Sequence, residues 1–395
     1  AEAITAVPIL PNGPVGTDSP QAQFPRKPQG NGHSGSAPSR PGRQMIRFSF
    51  SGKAGEYFGI WIVNTMLKIL TLGVYSAWAK VRKRRYFYGN TLMGSAPFDY
   101  LADPKILFRG WLIAAALFLA YSLGSRITPQ LSSLIGIMFF LVVPWLIVRS
   151  RAFNLRNSDH RNIRFTFNPD YREAYQVFAG IPLLLPFTLG LIFPYMLYRQ
   201  KRFFVENSGY GRTRFSFDAS AKEFYLFFLR AIGWFTLLVL AVVAIIGFFS
   251  AALTEFQPLF RDIGDIGSKS SPRGIAAVLL MAFLSFNLLY LYFAIYIRTS
   301  LANLTWNATR IRNSRFVSTL RVRDMAWLYL SSSVAILFSL GLLVPWASIR
   351  LTRYRMDHLA LDLCDDMEGF LGWGHQEIGP TGEEIGDMFG IDIGL

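Results

Sequence analysis

Four long apolar runs constrain this chain more than any other feature: WLIAAALFLAYSLG (111–124), LIGIMFFLVVPWLIV (134–148), WFTLLVLAVVAIIGFF (234–249) and IAAVLLMAFLSFNLLYLYFAIYI (275–297). With their flanks they reach the roughly 18 to 25 residues that a helix needs to cross the hydrocarbon core of a bilayer. The rest of the chain agrees. Of its 395 residues 52% are hydrophobic and 16% charged, against about 25% charged in a soluble globular protein. Such a surplus of apolar surface points to an integral, multi-pass membrane protein.

Seven apolar segments are discernible in all, at about 57–79, 106–124, 131–148, 173–198, 224–250, 274–297 and 325–349. The formal net charge of +15 is carried by lysines and arginines set directly beside these segments. That is the pattern of cytoplasmic flanks, which argues against nucleic acid as the partner. A single cysteine, Cys364, excludes an intrachain disulfide. The chain starts with no cationic stretch leading into an apolar core, so a cleavable signal peptide is not expected. Residues 1–44 are rich in Pro, Gly and Ser and are expected to be disordered. Three blocks follow: a first repeat with its basic loop (45–105) and two membrane repeats (106–214 and 215–375). Residues 376–395 form an acidic tail, expected to be cytoplasmic.

The repeats are explicit. TLGVYSAWAKVRKRRY (71–86), TLGLIFPYMLYRQKRF (188–203) and SLGLLVPWASIRLTRY (339–354) share Thr or Ser, Leu, Gly, then Ala or Pro, then Trp or Tyr. Arginines recur nine and twelve residues after each glycine: Arg82 and Arg85, Arg199 and Arg202, Arg350 and Arg353. A second element, RFSF (47–50), RFTF (164–167), RFSF (214–217) and RFVSTL (315–320), alternates with period two, as half-buried strands do. A third pairs VRSRAFNL (148–155) with IRTSLANL (297–304). A duplicated unit of about 150 residues, preceded by an extra glycine segment, accounts for all three.

Positive charge at both ends of the first, fourth and seventh segments conflicts with a single crossing, because basic short loops stay cytoplasmic. Glycine or proline breaks resolve the conflict by turning the helix back at membrane depth. The expected fold is therefore an all-α polytopic membrane protein with four true spans and three re-entrant hairpins, which turn at Gly73, Gly190 and Gly341. Short cytoplasmic β-hairpins lie beside it, and both termini are cytoplasmic. The alternative is seven ordinary spans.

Enzyme signatures are missing: there is no HExxH, CxxC, G-x-S-x-G or P-loop, and His33, His160, His358 and His375 are scattered. No catalytic role, metal or cofactor is expected. Polar residues within apolar segments are functional candidates by default, and these are Asn64, Lys68 and Asn287. For Lys68 the competing reading is snorkelling to the headgroups; for Asn287 it is a bridge between helices. The three arginine pairs are candidate contacts for anionic lipid headgroups or for solute anions, since spacing of three puts both guanidinium groups on one helical face.

The run FGIWIVNTMLKILTLGVYSAWAKVRKRRYFYGNTLMGSAPFDY (58–100) and the closing GEEIGDMFGIDIGL (382–395) strongly resemble the YjgN family of bacterial inner-membrane proteins. The resemblance extends from about Arg43 to Leu395. It implies a multi-pass inner-membrane location and brings no substrate or catalytic residue. Transport or gated passage of a small solute or lipid is the expected role. A non-catalytic scaffold that recruits a protein partner through its cytoplasmic face and acidic tail is the alternative. The bilayer itself, with anionic headgroups, is the partner common to both.

Overall fold

The computed structural model describes residues 44–260 and 272–364. The expected disordered segment 1–44 falls outside that range except for its last residue, and the acidic tail 376–395 falls outside it entirely.

The expectation of an all-α fold is overturned by ten strands that close into an antiparallel barrel. They are β1 (Gln44–Phe50), β2 (Thr91–Met93), β3 (Ala96–Tyr100), β4 (Ser158–His160), β5 (Ile163–Phe167), β6 (Ser208–Tyr210), β7 (Thr213–Phe217), β8 (Thr309–Ile311), β9 (Ser314–Ser318) and β10 (Leu359–Leu363). Each strand pairs with its neighbours in sequence, and β1 pairs with β10 to seal the ring. The short hairpins expected from the RFSF-type motifs are real, but they join one another edge to edge. Closure is what three- to seven-residue strands need, since it leaves no unpaired edge.

Two-residue turns close one end of the barrel. Arg161 and Asn162 both have positive φ, as do Gly94, Gly211 and Arg312 in the equivalent turns. This handedness matches the twist of tight hairpins. The opposite end of every hairpin leads into helices. Helices α1 (Ala54–Leu70) and α2 (Ser76–Gly89) connect β1 to β2; α3 (Pro104–Ile127) and α4 (Pro129–Arg156) connect β3 to β4. Between β5 and β6 lie α5 (Tyr171–Tyr175), a π-helical turn, α6 (Ile181–Leu183) and α7 (Phe193–Glu206). Helices α8 (Ala221–Phe260) and α9 (Pro272–Ala308) follow β7, and α10 (Val322–Phe338) and α11 (Val344–Asp357) lead from β9 to β10. The physical unit is thus strand, helical pair, strand, repeated five times. Adjacent helices touch around the whole circle, α11 against α1 included.

Short and long pairs alternate. Among the described residues four helical stretches are long and apolar enough to cross a membrane: Pro104–Gly124, Ser133–Arg156, Ala221–Phe248 and Leu279–Ala308. The three TLG or SLG segments of the repeated motif reverse direction instead, whereas Ser122-Leu123-Gly124 continues within α3. Gly73, Gly190 and Gly341 have φ of +91°, +81° and +91°, and each preceding leucine also has positive φ. The glycine N–H bonds back to the carbonyl five residues earlier, on Lys68, Leu185 and Ile336, which is the Schellman closure of a helix end. The leading Thr or Ser explains itself too: Thr71 donates to the Leu67 carbonyl at 2.7 Å and accepts from the Tyr75 N–H at 3.0 Å. At the tips Leu72, Leu189 and Leu340 are 91%, 91% and 94% exposed. Leucine held at positive φ and left bare is costly in water.

Candidate functional site: a cationic chamber on an aromatic floor

Period-two alternation sets the barrel interior. In each RF pair the arginine points outward, with Arg47, Arg164, Arg214 and Arg315 exposed, and the phenylalanine points in. One phenylalanine from each odd-numbered strand faces the interior: Phe48, Phe98, Phe165, Phe215 and Phe316. Their cross-strand partners are Met93, His160, Tyr210, Ile311 and Leu361. Ring centroids lie 6.2 Å apart for Phe48–Phe98 and Phe98–Phe165, 6.1 Å for Phe215–Phe316 and 6.5 Å for Phe48–Phe316, while the Tyr210 ring lies tilted against Phe165 at 5.1 Å. Ten strands enclose more space than eight, whose interior side chains just fill; large rings at every second strand close the difference.

Above this floor, where the helices meet the barrel, lies a chamber of about 630 Å³. Helix α2 contributes Arg84 and Tyr88, α4 contributes Ile147, Ser150, Arg151, Asn154 and Leu155, α7 contributes Lys201, Phe204 and Val205, and α9 contributes Thr305 and Trp306. Among the described residues that line it, three are cations and none is a carboxylate. Arg84 donates to the Tyr100 hydroxyl at 2.8 Å and to Asn154 Oδ1. Arg151 lies over the Phe204 ring, 5.4 Å from its centroid, and keeps accessible surface by facing the chamber. Burial first, then the charge of Arg151, hold the Lys201 ammonium below the ordinary lysine value.

Beneath the floor His160 is 1% exposed, with Nδ1 3.1 Å from the Tyr210 hydroxyl, which in turn donates to the His160 carbonyl at 3.1 Å. Burial, aided by Arg161, pulls its pKa down to about 4, so the ring is neutral near pH 7. Burial raises that of Tyr210.

The arginines singled out by spacing sit elsewhere, and the structure does not bring them together. Arg85 donates to the carbonyls of Tyr100 and Ala102 at 3.2 and 3.0 Å. At the matching place Arg353 donates to the Gly52 carbonyl at 2.8 Å. Arg202 pairs with Glu206 at 2.9 Å, and Arg199 with Glu173 at 3.2 Å. Arg350 bonds Ser331 at 2.7 Å and stacks over Trp346; Arg82 is exposed. Four of the six therefore tie a helix to another element, Arg202 pairs within its own helix, and Arg82 is exposed. Asn64 is buried and donates across its hairpin to the Ala79 carbonyl at 3.5 Å. Lys68 is half-buried just before the first reversal. Asn287 is exposed and donates to Phe283 of its own helix.

Reasoning from spacing missed the chamber cations. Arg84 and Lys201 each stand eleven residues after the motif glycine, beside the arginines at nine and twelve, and Arg151 lies in the VRSRAFNL element. The usable signal was distance to the following strand. Arg84, Arg151 and Lys201 are each the seventh residue before β2, β4 and β6.

The family profile described as "Bacterial protein of unknown function (DUF898)" matches residues 45–388, which take in every element described above. The chain belongs to this family. Among similar curated proteins are those called inner membrane protein YjgN, from Salmonella typhimurium (30% identical), Escherichia coli K12 (27%) and Escherichia coli O157:H7 (24%). The matches cover 35 or 36% of this chain and 36% of each relative, so the chain spans about a third of the length of the curated relatives it matches. No solved structure matches.

Proposed function

We propose that the protein is a multi-pass bacterial inner-membrane protein that admits a small solute or lipid to the chamber and gates its onward passage at the aromatic floor. The observation that carries this reading is a chamber with three cations in a largely apolar wall, set directly on a ring of five phenylalanines within a circle of helices that includes four apolar ones. A closed hydrophobic constriction blocks ions and polar solutes until its side chains move. Solid packing between the repeats would have favoured the scaffold instead. The relatives' names and the four apolar helices support the location. The basic helix ends beside the barrel support a cytoplasmic barrel, and the bare leucines at the three reversals support tips that enter the bilayer without crossing it.

The test is a flux measurement on purified protein in liposomes. Phe98→Ala and Phe316→Ala are expected to speed the release of an entrapped anionic fluorophore or the flipping of a short-chain fluorescent phospholipid. Permeability equal to that of wild type in both variants, with the barrel intact by circular dichroism, would overturn the reading.

A further inference from the structure

We propose that the chamber binds a phosphate-bearing anion, held between Arg151 and Lys201 with Arg84 at its edge. This names what enters the gated passage, and it rests on that reading for the chamber's role as the loading site.

The first ground is position. Arg84, Arg151 and Lys201 occupy one place in the fivefold plan, the seventh residue before an even-numbered strand, whereas the other two repeats place Ala302 and Thr352 there. Three cations are thereby aimed at one space from the second helical arms of three consecutive repeats, not spread evenly around the circle. The second ground is charge balance: among the described residues no carboxylate lines the space. Like charges gathered in a half-enclosed space repel one another unless a counter-charge joins them, and burial, with Arg151 second, already lowers the pKa of Lys201.

A competing explanation is that the cations only offset the negative ends of their helices. Those ends are served otherwise. Asn90, Asn157 and Asn207 cap α2, α4 and α7 and donate to the carbonyls of Tyr86, Phe153 and Phe203 at 2.8, 2.8 and 3.0 Å.

The third ground is the lining chemistry. A guanidinium offers phosphate two parallel donors and an ammonium adds a point charge. Ser150, Asn154 and Thr305 surround them, and Ile147, Leu155 and Val205 supply an apolar wall. The volume of about 630 Å³ suits a small organic ligand. Either a soluble phosphomonoester or the headgroup of an anionic phospholipid meets these terms.

The full-length protein is to be melted in maltoside micelles with inorganic phosphate or glycerol phosphate, and in phosphatidylcholine nanodiscs with or without phosphatidic acid. The wild-type midpoint is expected to rise saturably with one class of probe. Arg151→Met and Lys201→Met are expected to bind about tenfold more weakly, the loss of one charged hydrogen bond, yet to melt higher than wild type without probe because a like charge is gone. Lys201→Arg keeps the response, as does Arg82→Gln on the outer surface. A response to glycerol phosphate in micelles identifies a soluble ligand; a response to phosphatidic acid alone identifies a headgroup. Absence of any saturable rise in wild type, or a rise undiminished in both methionine variants, overturns the proposal. Binding without phenylalanine-dependent flux would remove the gated passage alone, and flux without binding would remove the anion alone.

Discussion

Arg84 and Arg85 are adjacent in α2, yet one looks into the chamber and the other locks the helix to the loop after β3. The same division runs through the strands, where each RF pair places a cation outside and a ring inside. The inner and outer faces of one repeat therefore use the same residue types for opposite ends. Outside, a cation finds a carbonyl or carboxylate and serves the fold. Inside, Arg151 lies over the Phe204 ring and its charge acts on Lys201. The lesson is that cation content and spacing along this chain do not identify a binding group; the face does.

The largest effect should come from reversing the character of an inner strand position. Ile46→Asp places a carboxylate on the buried face of β1 and is expected to cost more than about 4 kcal/mol, enough to prevent barrel closure. Arg47→Gln, one residue on and exposed, is expected to stay within about 0.5 kcal/mol. Limited proteolysis at the hairpin turns reads both, and similar sensitivity in the two variants would erase the distinction between faces.

Acid gives the next largest effect. Because the pKa of His160 is pulled down to about 4, the unfolded chain binds more protons than the folded one between that value and the unperturbed 6.5. Stability is complete above about pH 6.5 and declines toward pH 4, by up to about 3 kcal/mol. Denaturation midpoints across this range should fall for wild type and flatten for His160→Gln. An equal slope in the variant would show that this inner histidine does not carry the acid response.

The smallest expected effect sharpens the outer face. Arg353→Ala frees the Gly52 carbonyl, where α11 is tied to the segment after β1, and should cost about 1 kcal/mol. Arg82→Ala, exposed on α2, should cost less than about 0.5 kcal/mol. Denaturant midpoints in a single detergent compare them. A larger loss for Arg82 would mean that spacing from the glycine, not the contact made, sets the importance of these arginines.

The sequence by itself determined the local features. Runs of apolar residues long enough to cross a bilayer, a Thr-Leu-Gly or Ser-Leu-Gly that reverses the chain, and Arg-Phe alternation that makes a strand are all short-range consequences of hydrophobicity, backbone freedom and period. The paired motifs also revealed repetition, although at twice the structural unit, because the long helical pairs lack the full motif (Ser122-Leu123-Gly124 in α3 has no arginines nine and twelve residues on) and hid two of the five copies. Tertiary structure alone decided that the strands close. Pairing β1 with β10 joins residues about three hundred positions apart, and three-residue strands such as β2, β4, β6 and β8 carry too little pattern to announce themselves. It also decided the chamber. Arg84, Arg151 and Lys201 belong to three helices, and only the circular stacking of repeats turns one recurring helix position into a shared interior surface.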